Sequence, residues 1–75
     1  MKKKLAPGIT IDQNVRFGKP VIVGTRVPVD LVVGKIAGGE TITKVAREYD
    51  LTKKQIYAAL KYAADVVSSE DVALA

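Results

Sequence analysis

The chain has to build its fold by packing alone, because its 75 residues include no cysteine and no histidine. Disulfides, zinc fingers and histidine-based catalysis are therefore excluded. A domain of this size buries only about 60% of the surface that its unfolded chain exposes, so it is marginally stable alone. Small scaffolds without disulfides or metals commonly gain stability from a partner subunit. We therefore expect a homodimer or a complex with another protein, and no cofactor.

The two halves of the chain differ in the spacing of their apolar residues. Residues 9–11 alternate apolar and polar side chains and residues 21–23 are all β-branched, which predicts two short strands paired across the loop at residues 12–19. From residue 30 onward the apolar spacing is helical. We predict an α+β, mainly α, fold with a short N-terminal β-hairpin followed by three helices. Residues 1–8 are expected to be a flexible basic N-terminus, residues 9–69 a single domain, and residues 70–75 a frayed tail.

Capping residues set the bounds of the predicted helices. Asp30 is suited to the start of the first helix, and Gly38-Gly39 is suited to its end. Thr41 and Thr52 are the N-cap candidates of the second and third helices. The third helix is rich in alanine, a strong helix former, and is predicted to end near Ser68-Ser69.

The spacing within residues 42–62 is typical of a helix-turn-helix. A small residue, Ala46, is predicted at the helix crossing, and the chain turns at Asp50, a residue type that tolerates left-handed backbone. Leu51 is expected to enter the core, and Ile56 to pack back on the preceding helix. The motif therefore predicts that residues 42–62 are the functional part of the chain.

In a helix-turn-helix that binds DNA, the N-terminal part of the second helix enters the major groove. The outward side chains there are cationic or aromatic and can contact phosphates, and lysine can also reach guanine edges. The preceding helix offers two further cations that can grip the DNA backbone. The predicted DNA-binding residues are Lys44, Arg47, Lys53, Lys54, Tyr57 and Lys61. The alternative is a solvated basic face on a structural helix pair.

Charge is distributed unevenly along the chain. The formal net charge is +4, and residues 41–64 carry five basic and two acidic residues, whereas the acidic side chains of residues 65–75 reverse the sign. A basic helical surface favours nucleic acid or an acidic partner. No segment approaches the ~20 apolar residues that cross a bilayer. We expect a cytoplasmic protein that does not bind membranes.

Enzymatic chemistry finds little support in the sequence. Glu48 and Asp50 are two residues apart and do not share a helix face. The segment at residues 18–29 lacks the glycine spacing of a phosphate-binding loop, so its glycines and prolines indicate structural turns. Arg26 in this segment can stabilise the junction between strand and helix by bonding backbone carbonyls, or it can lie at an interface with a partner. We predict that the chain is not an enzyme.

A resemblance to a known family rests on the block at residues 18–29 (GKPVIVGTRVPV), then Ala37-Gly38, Leu51-Thr52 and the ending at residues 58–64. These residues, in this order, resemble the bacterial family called domain of unknown function 433 over residues 9–64. The resemblance implies a small helix-turn-helix antitoxin of the VapB type, encoded beside a PIN-like nuclease toxin. It transfers no catalytic residues. This chain has Asp50-Leu51 where many members have a proline-containing turn.

Two functions follow from these observations. The first is an antitoxin-like adaptor of a toxin–antitoxin system that binds a PIN-like toxin and duplex DNA, repressing its own operon. The alternative is a protein-interaction module in which the helix-turn-helix is structural and no DNA is bound. Whether the cations of the helices bind duplex DNA distinguishes these two functions.

Overall fold

A computed structural model describes residues 2–69. Three antiparallel strands, β1 (Lys2–Ala6), β2 (Ile9–Asp12) and β3 (Val21–Ile22), form one sheet in the order β1-β2-β3. Three helices follow, α1 (Val29–Ala37), α2 (Ile42–Glu48) and α3 (Lys53–Ser68). The small α+β fold expected from the sequence is confirmed in this coarse form.

The sheet has one strand more than the sequence analysis predicted. The strands expected at residues 9–11 and 21–23 are present, and Ile9 pairs with Ile22. The segment expected to be a flexible N-terminus instead contains β1, which pairs with β2 from Lys2 opposite Asp12 to Ala6 opposite Ile9. A tight turn at Pro7-Gly8 makes this pairing possible, because Gly8 adopts a φ of +81° that favours glycine.

Most helix ends are formed by the residues that the sequence singled out, whereas the N-cap of α1 is Pro28. The Thr41 hydroxyl accepts a hydrogen bond from the Lys44 N–H at 3.1 Å. Thr52 forms a full capping box: its hydroxyl accepts from the Gln55 N–H at 3.0 Å, and the Gln55 carboxamide oxygen accepts from the Thr52 N–H at 2.8 Å. Helix α1 begins at Val29 with Asp30 in its first turn, and it ends at Ala37 with Gly38 as the C-cap. Helix α3 ends at Ser68.

The core lies where the three helices meet the inner face of the sheet. Its buried members are β-branched residues from each of the strands and helices except β1, together with Leu51 and Ala59. They are Ile9, Ile22, Val29, Val32, Val45, Leu51, Ile56 and Ala59. The apolar spacing of α3 predicts Val67 on the buried face of that helix, but Val67 lies in its last turn and is 64% exposed. Ala46, expected at the helix crossing, is half-buried against this core.

The turn between α2 and α3 uses the left-handed backbone anticipated for Asp50, whose φ is 55°. The Leu51 N–H donates to the Ala46 carbonyl at 2.8 Å, so the turn closes the end of α2 while Leu51 enters the core. We expect Asp50→Val to lower the free energy of unfolding by about 1–2 kcal/mol, because a β-branched side chain disfavours left-handed backbone. Asp50→Gly removes the same carboxylate without that strain. Chemical denaturation of both variants tests this, and equal stabilities would contradict the role of the backbone angle.

Candidate nucleic-acid interface

The outward face of α3 carries most of the predicted DNA-binding residues. Lys53, Tyr57 and Lys61 follow one another at intervals of four residues and therefore share one side of the helix, with Lys54 next to them. All four are exposed, and Tyr57 is 56% exposed. The buried face of the same helix presents Ile56 and Ala59 to the core. The structure thus brings these four residues together on the solvent side.

The residues predicted on α2 are also exposed. Lys44 and Arg47 are three residues apart, so they lie on one side of this short helix. The Lys44 Nζ lies 3.5 Å from a carboxylate oxygen of Glu40. On α3, the Lys61 Nζ lies 3.4 Å from Asp65. Such exposed ion pairs are weak and can exchange one partner for a phosphate.

Three of the five predicted cations are not engaged with a carboxylate of the described residues. Within residues 2–69, Arg47, Lys53 and Lys54 form no ion pair. Lys53 and Lys54 stand at the start of α3, the part of a recognition helix that is placed deepest in a groove. These two lysines are therefore the cations best placed for an anionic ligand.

Acidic side chains near α2 are held by a lysine of α1. The Lys35 Nζ lies 3.5 Å from carboxylate oxygens of both Glu40 and Glu48, and 6.0 Å from the centre of the Tyr49 ring. Glu40, and after it Glu48, raises the pKa of Lys35 above its ordinary value, because carboxylates favour the charged ammonium. These ion pairs connect α1 to α2 and place the carboxylates of Glu40 and Glu48 next to Lys35.

The structure adds one cation that the sequence analysis did not place at the site. Lys4 of β1 and Lys54 of α3 line the same cleft, which encloses about 500 Å³ beside the Pro7-Gly8 turn. Lys4 was assigned to a flexible terminus, whereas pairing with β2 fixes its position next to α3. The Pro-Gly pair before a β-branched segment was the signal that could have predicted this strand.

Residues 2–69 contain no group of three or more acidic, histidine or cysteine side chains that could hold a metal ion. None of the helices there combines the length and the apolar composition that a membrane span requires.

Comparison with known proteins places the chain in a family. The sequence profile described as "Protein of unknown function (DUF433)" matches residues 9–63. The chain belongs to the DUF433 family. The resemblance drawn from the block at residues 18–29 and from the later alanine-rich segment is therefore confirmed at the level of the family.

A solved structure from Mycobacterium tuberculosis is similar to this DUF433 chain. The X-ray crystal structure of Rv2018 from Mycobacterium tuberculosis is 35% identical in sequence, with a TM-score of 0.64. The similarity covers 69% of this chain and 24% of Rv2018, so the chain corresponds to about a quarter of that longer protein. No curated protein matches the chain.

Proposed function

We propose that α2, the turn at Asp50 and α3 act as a helix-turn-helix that binds duplex DNA, with α3 as the recognition helix. The observation that carries this proposal is the exposed row of Lys53, Lys54 and Tyr57 on α3, where neither lysine is ion-paired with a carboxylate of residues 2–69. Lysines arranged in this way neutralise phosphates, and tyrosine can donate a hydrogen bond to one.

The packing of α3 supports this role because one face of the helix is buried in the core and the other is exposed to solvent. Ile56 and Ala59 anchor the helix in the core with 0% exposure, while Lys53, Lys54 and Tyr57 project from the opposite side. The Thr52 capping box fixes the first turn of the helix, which is the turn that would meet the DNA. A rigid and correctly capped first turn is what a groove-binding helix requires.

The proposed antitoxin role adds a protein partner to this DNA-binding surface. A PIN-like nuclease toxin is the partner that the family resemblance implies, and the protein would then repress its own operon as a homodimer. Proteins with a helix-turn-helix commonly bind two half-sites as dimers, which fits the expected self-association.

Replacing Lys53 and Lys54 together with alanine is expected to weaken duplex binding and to flatten its salt dependence. Each phosphate contact contributes about −0.9 to the slope of log K against log salt, so losing two contacts reduces the slope by about 2. Fluorescence anisotropy of a labelled duplex from the upstream region of the gene, titrated at several salt concentrations, measures both quantities. The fold is expected to remain intact, because both side chains are exposed.

A matched control removes the same charge elsewhere. Lys2 and Lys3 lie on β1 and are exposed, so their joint replacement by alanine lowers the net charge equally while keeping the strand. We expect a smaller change in slope for this control. Equal changes in both double variants would show that only net charge matters, and the absence of wild-type binding at low salt would rule out the DNA-binding proposal.

A second candidate function is a protein-interaction module whose helix pair is purely structural. The observation that favours it is the exposure of large apolar side chains away from the lysine face, with Phe17 fully exposed and Val67 64% exposed. Exposed apolar side chains mark a protein interface when they form a continuous patch, and Val66 and Val67 lie together on the wall of one apolar groove. This candidate becomes the better one if the wild-type chain binds no duplex.

A further inference from the structure

Phe17 is presented to solvent in an unusual way. Its side chain is fully exposed, with 102% relative accessibility, in a short 3-10 turn (Arg16–Gly18) between β2 and β3. Arg16 and Phe17 both have left-handed backbone, with φ values of 52° and 55°, which non-glycine residues rarely adopt. A bulky aromatic side chain held outward on an unfavourable backbone indicates a contact that the isolated chain does not make.

The turn around Phe17 is held in place by three hydrogen bonds. The Gly18 N–H donates to the Val15 carbonyl and the Lys19 N–H to the Arg16 carbonyl, each at 3.1 Å. The Arg16 Nε donates to the Arg26 carbonyl, also at 3.1 Å, and so connects the turn to the segment before α1. The outward position of the ring is therefore built into the loop.

An apolar groove lies next to this turn. It encloses about 360 Å³ between α1 and the C-terminal half of α3, and its apolar lining includes Pro20, Val29, Val33, Tyr62, Val66 and Val67. An apolar cavity of about 150 Å³ is enough to bind benzene, so this groove has room for a phenyl ring. Val66 and Val67 on its wall are 40% and 64% exposed.

We propose that two copies of this chain form a symmetric dimer in which Phe17 of each copy inserts into the α1–α3 groove of the other. A two-fold interface requires one patch to carry both halves of the contact. Phe17 and Pro20 are three residues apart, so the turn that carries the ring leads directly into the wall of the groove. A second copy therefore supplies a ring for the groove and a groove for the ring at the same time.

Charge at the edge of the groove fits the same partner. Arg16 lies next to the inserting ring, and the Asp30 carboxylate stands at the rim of the groove, where it is 65% exposed and 3.0 Å from the Lys19 Nζ. In the symmetric arrangement, Arg16 of one copy approaches Asp30 of the other. Two inserted phenylalanines bury about 150–250 Å² each, and the valines of the groove walls add to this area.

The dimer rests on the proposed function and deepens it, because a two-fold pair of chains is what binding to two DNA half-sites requires. Its interface uses residues outside the lysine face of α3. Its test therefore needs no DNA. Sedimentation of the wild-type chain at high micromolar concentration is expected to show a dimer. Phe17→Ala and Val67→Lys are each expected to be monomeric, with unchanged circular dichroism because both side chains are exposed.

Mixing the two variants gives the decisive result. The Phe17→Ala chain retains an intact groove and the Val67→Lys chain retains its ring, so one of the two contacts can re-form between them. We expect a heterodimer in the mixture, detected by native mass spectrometry, although neither variant dimerises alone. Val23→Lys, at an exposed apolar residue outside the groove, is the matched control and should remain dimeric.

Three outcomes would overturn the dimer. They are a wild-type chain that is monomeric at high micromolar concentration, variants that still dimerise, and a mixture that stays monomeric. None of them bears on duplex binding by Lys53 and Lys54, which is measured separately. A dimer of this kind without duplex binding would instead contradict only the DNA-binding proposal.

Discussion

Replacing Ile56 with alanine is expected to lower the free energy of unfolding by about 2–5 kcal/mol, the range for removing a large aliphatic side chain from a core. Ile56 has 0% exposure and lies in the cluster that joins α3 to Ile22 and Val45. The loss combines the apolar surface returned to water with the cavity that remains. A domain of this size has few kcal/mol to lose, so a substantial part of the variant is expected to be unfolded at 37 °C.

Chemical denaturation monitored by circular dichroism measures this effect. All samples must have the same protein concentration, because self-association makes apparent stability depend on concentration. Val23→Ala is the matched control: this β-branched side chain is 46% exposed, and its truncation is expected to change stability by no more than about 0.5 kcal/mol. Similar losses in the two variants would show that α3 does not anchor the core.

Gly8→Val is expected to be the second most damaging single change. Gly8 has a φ of +81°, and a Cβ atom there would lie 3.1 Å from the Cβ of Ala58 on α3. Left-handed backbone disfavours L-residues by about 1–2 kcal/mol. Forcing extra atoms against a packed neighbour adds about 1–3 kcal/mol. Both the backbone strain and the close contact destabilise the turn that connects β1 to β2.

Gly24 provides the control that separates these two terms. Its φ of +79° is nearly the same, but a Cβ atom there would meet no heavy atom within 4 Å. Gly24→Val therefore carries only the backbone penalty. The difference in stability between the two valine variants, measured by denaturation, reports the contact between the first β-turn and α3. If the two variants are equally stable, that turn does not pack against α3, and the position of Lys4 beside Lys54 has to be reconsidered.

The sequence alone determined the local structure of the helical half. Thr41 and Thr52 were predicted as N-caps and both accept the expected backbone hydrogen bonds. The bend at Asp50 and the burial of Leu51 were predicted as well, and both are present. The caps and the bend depend on residues that lie within five positions of one another, so spacing and capping chemistry suffice to define them. The membership of the DUF433 family was likewise visible in the ordered motif at residues 18–29.

Only the tertiary structure decided which distant residues share a surface. Lys2–Ala6 became a strand because β2 was available to pair with it, and that pairing brings Lys4 to Lys54, fifty positions later in the chain. The exposure of Phe17 and Val67 was likewise not predictable from the sequence, since the exposure of an apolar residue depends on what packs over it. The groove beside Phe17 joins α1 to α3, and these elements meet through contacts between residues far apart in sequence. Periodicity along one segment cannot report such contacts, because it carries no information about which other segment covers it.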